Sequence, residues 1–382
     1  MALRYQGSGV CPMSSEKGPI LVALVGVGNC ASALVQGCQY YSGSGRERPG
    51  LLTPSFAGYR PEHLSFVAAY DIDERKTGRD LSEAIFAEPN CTARFIDEVQ
   101  MMDCEVRPGF EIDSVGVMPA DAPAERRILP ARGCYSDAGH AKSSIVSDLR
   151  QAGAEILVNY LPVGSDRNAR FYAECALEAG CGFVNAMPAL MVTDLGPRFM
   201  AARLPYLGDD VKSQVGATIL HRALVSLFRD RGMPIRRSYQ LNVGGNTDFL
   251  NMLDRERLNS KRISKTEAVR SQMDLAHLDR DGLYIGPSDY VPWLDDRKIC
   301  FLRIEAEQFG GVPMDLELRL SVEDSPNSAG VMLDAIRAAR VALDRGLAGP
   351  VAEVCAYLFK SPPVQYEESS ARELLRRFAT GS

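Results

Sequence analysis

Residues 20–25, Ile-Leu-Val-Ala-Leu-Val, form a wholly apolar run that ends on Gly26-Val27-Gly28-Asn29-Cys30-Ala31. A short strand that is apolar on both faces belongs in the middle of a parallel sheet, covered by helices above and below. The residues after it match Gly-x-Gly-x-x-Gly/Ala, the pattern that turns such a strand into a helix around a dinucleotide. Gly26 permits the tight turn, Gly28 lets the backbone approach a pyrophosphate, and Ala31 is small enough for close helix–strand packing. The helix N-terminus then offers unpaired N–H groups to phosphate. An isolated glycine motif also fits an ordinary tight turn, but the flanking strand and helix favour a cofactor loop made of Gly26, Gly28, Asn29, Cys30 and Ala31.

Ala31 to Tyr41 reads as a helix, and a Gly/Pro/Ser-rich insert from Ser42 to Pro61 separates it from a second strand at 66–70. That strand closes on Asp71-Ile72-Asp73. A carboxylate at such a strand end accepts both ribose hydroxyls and repels a 2′-phosphate, so Asp71 favours NAD over NADP. Its distance from the glycines exceeds the usual spacing of about 20 residues, and the insert accounts for the excess. Asp73 competes for the role, or is a solvated turn residue. A third strand at 155–161, a helix at 166–179 and a fourth strand at 182–186 complete the alternation of a doubly wound parallel sheet. The loop past the third strand adds Tyr160 and Pro162 to the cofactor set. Asp80 to Ala87 reads as helical, whereas 104–135 shows no clean period.

From Ser213 the character changes. A helix at 217–229 leads to a strand near 238–243 and a glycine-rich loop, and the alternating segments 299–306 and 314–322 read as half-buried antiparallel strands. This is an α+β domain inserted into an α/β one, because a strong helical period returns at 328–345 and is expected to pack back on the first domain. The expected division is 1–208 with 325–382 for the dinucleotide-binding part and 209–324 for the insert. The length of 382 residues supports two units, since single cores stop growing at about 250–300 residues.

The net charge of −6 argues against a general nucleic-acid binder, and no apolar run approaches the roughly 20 residues of a membrane span. Ten cysteines scattered through apolar segments, with no CxxC pair and only four histidines, point to reduced cytoplasmic thiols and to no metal site. The first 19 residues lack the basic and apolar regions of an export signal.

Six polar motifs stand out in the second half: Gly208-Asp-Asp-Val-Lys-Ser-Gln-Val-Gly216, Asn242-Val-Gly-Gly-Asn-Thr-Asp248, Ser260-Lys-Arg-Ile-Ser-Lys265, Asp295-Asp-Arg-Lys298, Glu323-Asp-Ser-Pro-Asn-Ser328 and Lys360-Ser-Pro-Pro. Ser264 and Glu267 form a capping box, so Lys265 sits at a helix start, where a cation is unfavourable unless an anion joins it. Lys360 follows the apolar run 356–359 and precedes two prolines, a rigid place for a partly desolvated lysine. The bland alternatives are a solvated basic turn for Lys261 and Lys265, a lysine snorkelling from a strand end for Lys360, and loop or helix caps for Asn246, Asp248, Asp210 and Asp324.

Together these motifs resemble the myo-inositol-1-phosphate synthase family, nearest its shorter bacterial form, from about residue 20 to the C-terminus and least between 88 and 145. The resemblance implies a Rossmann NAD domain with an inserted α+β catalytic and oligomerisation domain. It also implies redox-neutral cyclisation of a hexose phosphate: oxidation at C5, enolisation, aldol closure onto C1, and reduction by the same cofactor. It assigns Lys261 to the C1 oxyanion, Lys360 to the proton and charge at C5, and Asp210 to orienting Lys360. Lys298 and Asp324 complete the implied catalytic set. Ser213, Gln214, Lys265 and Lys298 are implied phosphate ligands. Asn242, Asn246, Asp248 and Asp324 are implied to position the sugar or the nicotinamide, and Ser328 joins the cofactor set. A homotetramer is implied as well. Glucose 6-phosphate is the expected substrate. The alternatives are a paralogue that cyclises fructose 6-phosphate to a five-membered ring, an ordinary NAD dehydrogenase, and a non-catalytic NAD sensor.

Overall fold

Strands apolar on both faces need a helical layer on each side, and the structure, a computed structural model, supplies both. It describes residues 17–42, 50–113, 115, 123–135, 137–253, 266–271, 277–286 and 289–381. The first half runs β1 (Ile20–Val25), α1 (Asn29–Tyr41), β2 (Leu64–Asp71), α2 (Leu81–Ala84), β3 (Val106–Pro108), α3 (Ala138–Gln151), β4 (Ile156–Asn159), α4 (Asp166–Ala179), β5 (Gly182–Asn185), α5 (Val192–Ala201) and β6 (Pro205–Leu207). The second half runs α6 (Ala217–Asp230), β7 (Ile235–Gly244), α7 (Thr247–Asn251), β8 (Leu283–Ile285), β9 (Asp289–Tyr290), β10 (Arg297–Glu307) and β11 (Pro313–Glu323). It closes with α8 (Asp324–Asp344), β12 (Gly349–Pro350), α9 (Ala352–Leu358) and α10 (Glu368–Thr380).

Seven parallel strands lie in the order β12-β6-β5-β4-β1-β2-β3. Without β12 this is the 3-2-1-4-5-6 order of a dinucleotide-binding sheet, whose order reverses between β1 and β4. Ile20, Val22 and Leu24 of β1 pack on one face against α1, α8 and α9, while Ala23 and Val25 face the side covered by α3, α4 and α5. The helical period expected at 328–345 is α8. It begins at Asp324, with Pro326 tolerated in its first turn, and buries Val331, Met332, Ala335, Ile336 and Ala339 under the first sheet. The tail thus returns to the first sheet and adds β12 to its edge.

The second sheet has β11-β10-β7-β8 in order, with β9 also pairing β7. β10 runs antiparallel to both β11 and β7, while β8 and β9 run parallel to β7. Cys300, Leu302 and Ile304 of β10 face α6, and the intervening residues face away.

Three local readings shift. The segment 80–87 shortens to four helical residues because Asp80 caps α2 and also accepts from the Met102 and Cys104 amides, which ties the chain into a turn. The run 356–359 ends a helix rather than a strand. Most of the aperiodic stretch 104–135 is loop, with β3 its one strand among the described residues.

The Ser42–Pro61 insert is anchored from beneath. Arg337 of α8 is fully buried, is ion-paired with equally buried Asp334, and donates to the carbonyls of Thr53 at 2.7 Å, Pro54 at 3.3 Å and Tyr59 at 3.2 Å. Burial lowers the Arg337 pKa and pushes Asp334 up to about 6, each against the pull of its partner. Breaking such a pair strands the other charge. Arg337→Ala is therefore expected to cost about 3–5 kcal/mol, read as a fall in the urea midpoint. Asp334→Leu with Arg337→Met should recover much of that loss.

Candidate active site

β1 delivers the glycine loop to the C-terminal edge of the first sheet, beside β4, where the strand order reverses. At Gly26, φ is +85° and a Cβ would lie 2.8 Å from the Tyr160 carbonyl oxygen, so glycine is required there. A Cβ on Gly28 would meet nothing within 4 Å, because this residue borders the cleft. Gly28 is the N-cap of α1 and supplies no side-chain cap, so the first amides of α1 remain available to an anion. Ala31 is buried beneath the loop.

Val27, between the two glycines, is held at both ends of its peptide. Its N–H donates to Asp71 Oδ2 at 2.7 Å, and its carbonyl accepts from Lys76 Nζ at 2.8 Å and Asn90 Nδ2 at 3.0 Å. Asp71 Oδ1 also accepts from the Ile72 and Asp73 amides, so this carboxylate both supports the loop and borders the cleft. Asp73 is not the solvated turn residue it resembled. It is buried and paired with Arg75 at 2.6 Å. Burial opposes its ionisation, but Arg75 and the Leu129 amide outweigh that and hold its carboxyl below the usual range. Lys76 is a site residue that sequence reasoning missed, since a lysine in Asp-Glu-Arg-Lys looks like any exposed turn cation.

Asn29 Oδ1 accepts from the Cys91 and Thr92 amides and fastens the loop at 91–92 to the start of α1. Cys30 lies against the first turn of α8, its sulfur 3.8 Å from Ser325 Oγ and 3.7 Å from Ser328 Oγ. Burial, then the charges of Asp296 and Asp324, push its thiol up to about 12, so it is a neutral packing group.

The sugar end is built where the chain leaves and re-enters the first sheet. Residues 209–212 pair with 358–361 through Asp209 N–H to Ser361 O, Ser361 N–H to Asp209 O, Lys360 N–H to Asp210 O and Lys212 N–H to Leu358 O. This short ladder sets Lys360 Nζ 2.6 Å from Asp210 Oδ1, with Asp210 in the left-handed region at φ +62°. Behind it, fully buried Asp209 accepts from Tyr206 Oη at 2.6 Å, Asn185 Nδ2 at 2.7 Å and the Met191 and Val192 amides. Burial still pushes Asp209 up to about 6.

A second pair faces the same cleft: Lys298 Nζ lies 3.0 Å from Asp324 Oδ1 and 3.2 Å from Oδ2. Burial alone would lower this lysine's pKa, but Asp324, with Asp248 beyond, holds it above the ordinary range, so Lys298 is a fixed cation. Asn246 caps α7 by accepting from the Asp248 and Phe249 amides. A Cβ on Gly245 would meet Asp295 N at 2.5 Å and Val291 O at 2.6 Å, which explains the glycine in this motif.

One cleft of about 240 Å³ joins these groups. Gly26, Gly28, Asn29, Cys30, Asp71, Tyr160, Pro162, Asp210, Ser213, Asn246, Asp248, Lys298, Asp324, Ser328 and Lys360 line it. The Tyr160 hydroxyl is buried and has no hydrogen-bond partner among the described residues. Two sequence-derived residues lie elsewhere. Gln214 donates to the Gly50 carbonyl at 2.6 Å and packs on Gly330, and Asn242 is buried within β7 beside Gln240. Lys261 and Lys265 lie outside the described residues, and 266–270 directly after them is helical.

A family model described as myo-inositol-1-phosphate synthase matches residues 216–325. Inositol-3-phosphate synthase of Mycolicibacterium smegmatis is 48% identical, covering 97% of this chain and 100% of its own. The protein of that name from Corynebacterium glutamicum is 46% identical, covering 94% and 98%. Among solved structures, that of Ari2 has a TM-score of 0.75 at 33% identity, covering 95% of this chain and 99% of its own. A myo-inositol-1-phosphate synthase-related protein from Thermotoga maritima has a TM-score of 0.75 at 23% identity, covering 95% and 98%, a likeness of fold.

The two glycines should respond differently to substitution. Gly28→Val, at an ordinary backbone angle facing the cleft, is expected to weaken dinucleotide binding at least about tenfold in calorimetry while leaving the unfolding midpoint nearly unchanged. Gly26→Ala should instead cost about 1–3 kcal/mol of stability.

Proposed function

Because this chain belongs to the myo-inositol-1-phosphate synthase family, we propose that it cyclises glucose 6-phosphate to an inositol phosphate with NAD held throughout. The observation that carries this reading is the convergence of two lysine–carboxylate pairs, Lys360–Asp210 and Lys298–Asp324, on the cleft that also holds the glycine loop. Enolisation and aldol closure both build negative charge on oxygen, and ammonium groups fixed beforehand stabilise that charge without reorganising. The names of the 46–48% identical relatives favour a six-membered product over the five-membered alternative.

The residues present fit the cofactor: an uncapped α1 N-terminus, the open approach at Gly28, and Asp71 at the end of β2. NAD supplies hydride acceptance at C5 and its return to the same carbon. Lys360 holds the proton and charge at the C5 oxygen, and Asp210 keeps its ammonium aimed and balanced. Lys298, permanently charged beside Asp324, stabilises anionic oxygen, and Asn246 and Asp248 orient the sugar hydroxyls. Ser213 with the N-terminus of α6, whose N-cap Gly216 offers no side chain, holds the phosphate. Lys265 is a further phosphate ligand in this reading, and Lys261 serves the C1 oxyanion. Gln214, whose side chain donates to the Gly50 carbonyl, is left out of this reading.

The outward face of the second sheet carries Tyr239, Leu241, Tyr284 and Phe301 side by side, with Phe301 directly opposite Leu241 and Tyr284 opposite Tyr239. Such an exposed apolar row supports self-association through this sheet, and a homotetramer in the cytoplasm is our reading.

Phosphorus and proton NMR of the purified protein, given catalytic NAD and either glucose 6-phosphate or fructose 6-phosphate free of isomerase, tests the proposal. Inositol phosphate should appear from glucose 6-phosphate with no build-up of NADH. A cyclitol phosphate formed from fructose 6-phosphate alone would overturn the substrate assignment, and stoichiometric NADH would overturn the cyclase. Lys360→Ala is expected to lower kcat by roughly 10²–10⁴-fold while NAD binding, measured by calorimetry, survives.

A further inference from the structure

Asp296 does not border the cleft, yet it joins three chain segments that do. Its side chain is fully buried, while its neighbour Asp295 is exposed and, at φ +50°, turns the chain so that Asp296 points inward. Asp296 Oδ1 accepts from Asn246 Nδ2 at 2.8 Å and Ser325 Oγ at 2.9 Å. Its Oδ2 accepts from Thr92 Oγ1 at 2.7 Å and the Ser325 amide at 3.1 Å. Four donors thus fill the four acceptor sites of one carboxylate. Its backbone carbonyl accepts from the Asp324 amide at 2.9 Å.

Each contact leads to a cleft residue in one further step. Thr92 donates its amide to Asn29 at the start of α1. Asn246 caps the helix that carries Asp248. Ser325 follows Asp324, the partner of Lys298, and touches Cys30. The arrangement is also costly, because burial, and after it the neighbouring Asp324 charge, pushes this carboxyl up to about 6 despite its donors. A purely structural filler at this position would be apolar, since well-packed apolar groups commonly replace buried charge without loss of stability.

We propose that Asp296 is a positioning residue for hydride transfer, locking the cofactor-side loop at Thr92, the sugar-side loop at Asn246 and the start of α8 into one register. The role rests on the cyclase reading above, in which the C5 hydrogen and the nicotinamide must be held to within about 0.5 Å of a productive geometry. Asp296→Asn keeps the shape, but its amide group faces donors and at least one of the four bonds is lost. Thr92→Val, an almost equal volume on the far loop, removes only the link to the cofactor side.

The test compares both variants and the double variant with the wild type by kcat, by the kinetic isotope effect with hexose phosphate deuterated at C5, by NAD affinity in calorimetry, and by the unfolding midpoint. Asp296→Asn is expected to lower kcat by about 10- to 100-fold, to enlarge the isotope effect, and to weaken NAD binding severalfold. Thr92→Val should move the same readouts less, and the double variant should fall short of the product of the single losses. Variants that lower only the unfolding midpoint, with wild-type kcat and isotope effect, overturn the proposal. If Asp296→Asn does not fold, Thr92→Val decides alone by the same criterion. The wild type is assayed with whichever hexose phosphate it turns over, so an error in the substrate appears in the wild type and an error about Asp296 only in the variant ratios. With no turnover of either sugar, unchanged NAD affinity in both variants overturns the proposal.

Discussion

Ammonium groups confined among carboxylates govern this site. A lysine taken out of water tends to lose its proton, and a carboxylate taken out of water tends to gain one, unless each finds the other at close range. Lys360 with Asp210 and Lys298 with Asp324 meet that condition at 2.6 and 3.0 Å. The choice of lysine is itself informative. Only 8 of the 43 basic residues are lysine, and Lys76, Lys298 and Lys360 all line the cleft while Lys212 lies buried behind it. Arginine holds its charge under all conditions, whereas a lysine presents a compact charge that its surroundings can tune.

The fold brings the pairs together because the site lies at the seam where the chain leaves the first sheet and returns to it. Residues 208–213 carry the chain out of β6, and 323–325 carry it back into α8. Lys298 stands at the start of β10, directly opposite Gly244 in β7, and reaches Asp324 across that seam. Lys360 arrives later still, beyond α9, and meets Asp210 through backbone pairing. The same seam explains why α8 matters twice: its body fills one face of the first sheet and its first turn closes the cleft.

Much of this architecture was legible in the sequence. The apolar run at 20–25, the glycines after it and the acidic end of β2 are local signals from which the parallel sheet followed, and the alternating segments 299–306 and 314–322 announced the second sheet. The Lys360–Asp210 pair, 150 residues apart, emerged only from resemblance to a family, because no local pattern announces a partner at that distance. Asp209, Asp296 and Lys76 were missed for a related reason: burial of a charged side chain is decided by the segments that later pack on it. Gln214 and Asn242 sit in polar motifs, yet their own neighbours claim their side chains. Helix starts and ends shifted by several residues at α2 and α8, where a capping carboxylate and a tolerated proline decided the boundary.

Asp209, Asp296 and Asp334 share an environment that raises each carboxyl to about 6 from 3.8. A raised folded-state value means that the folded chain binds protons the unfolded chain has already released. Their contribution to stability is therefore complete below about pH 3.8 and is lost as the pH rises through about 6. At neutrality all three are ionised against their surroundings, and the protein folds around anions it would be easier to neutralise. Assembly in mildly acidic solution would draw protons from the buffer, whereas near neutrality it would draw few. The proton inventory of folding thus records, in bulk solution, how much electrostatic tension the fold retains around its anionic supports.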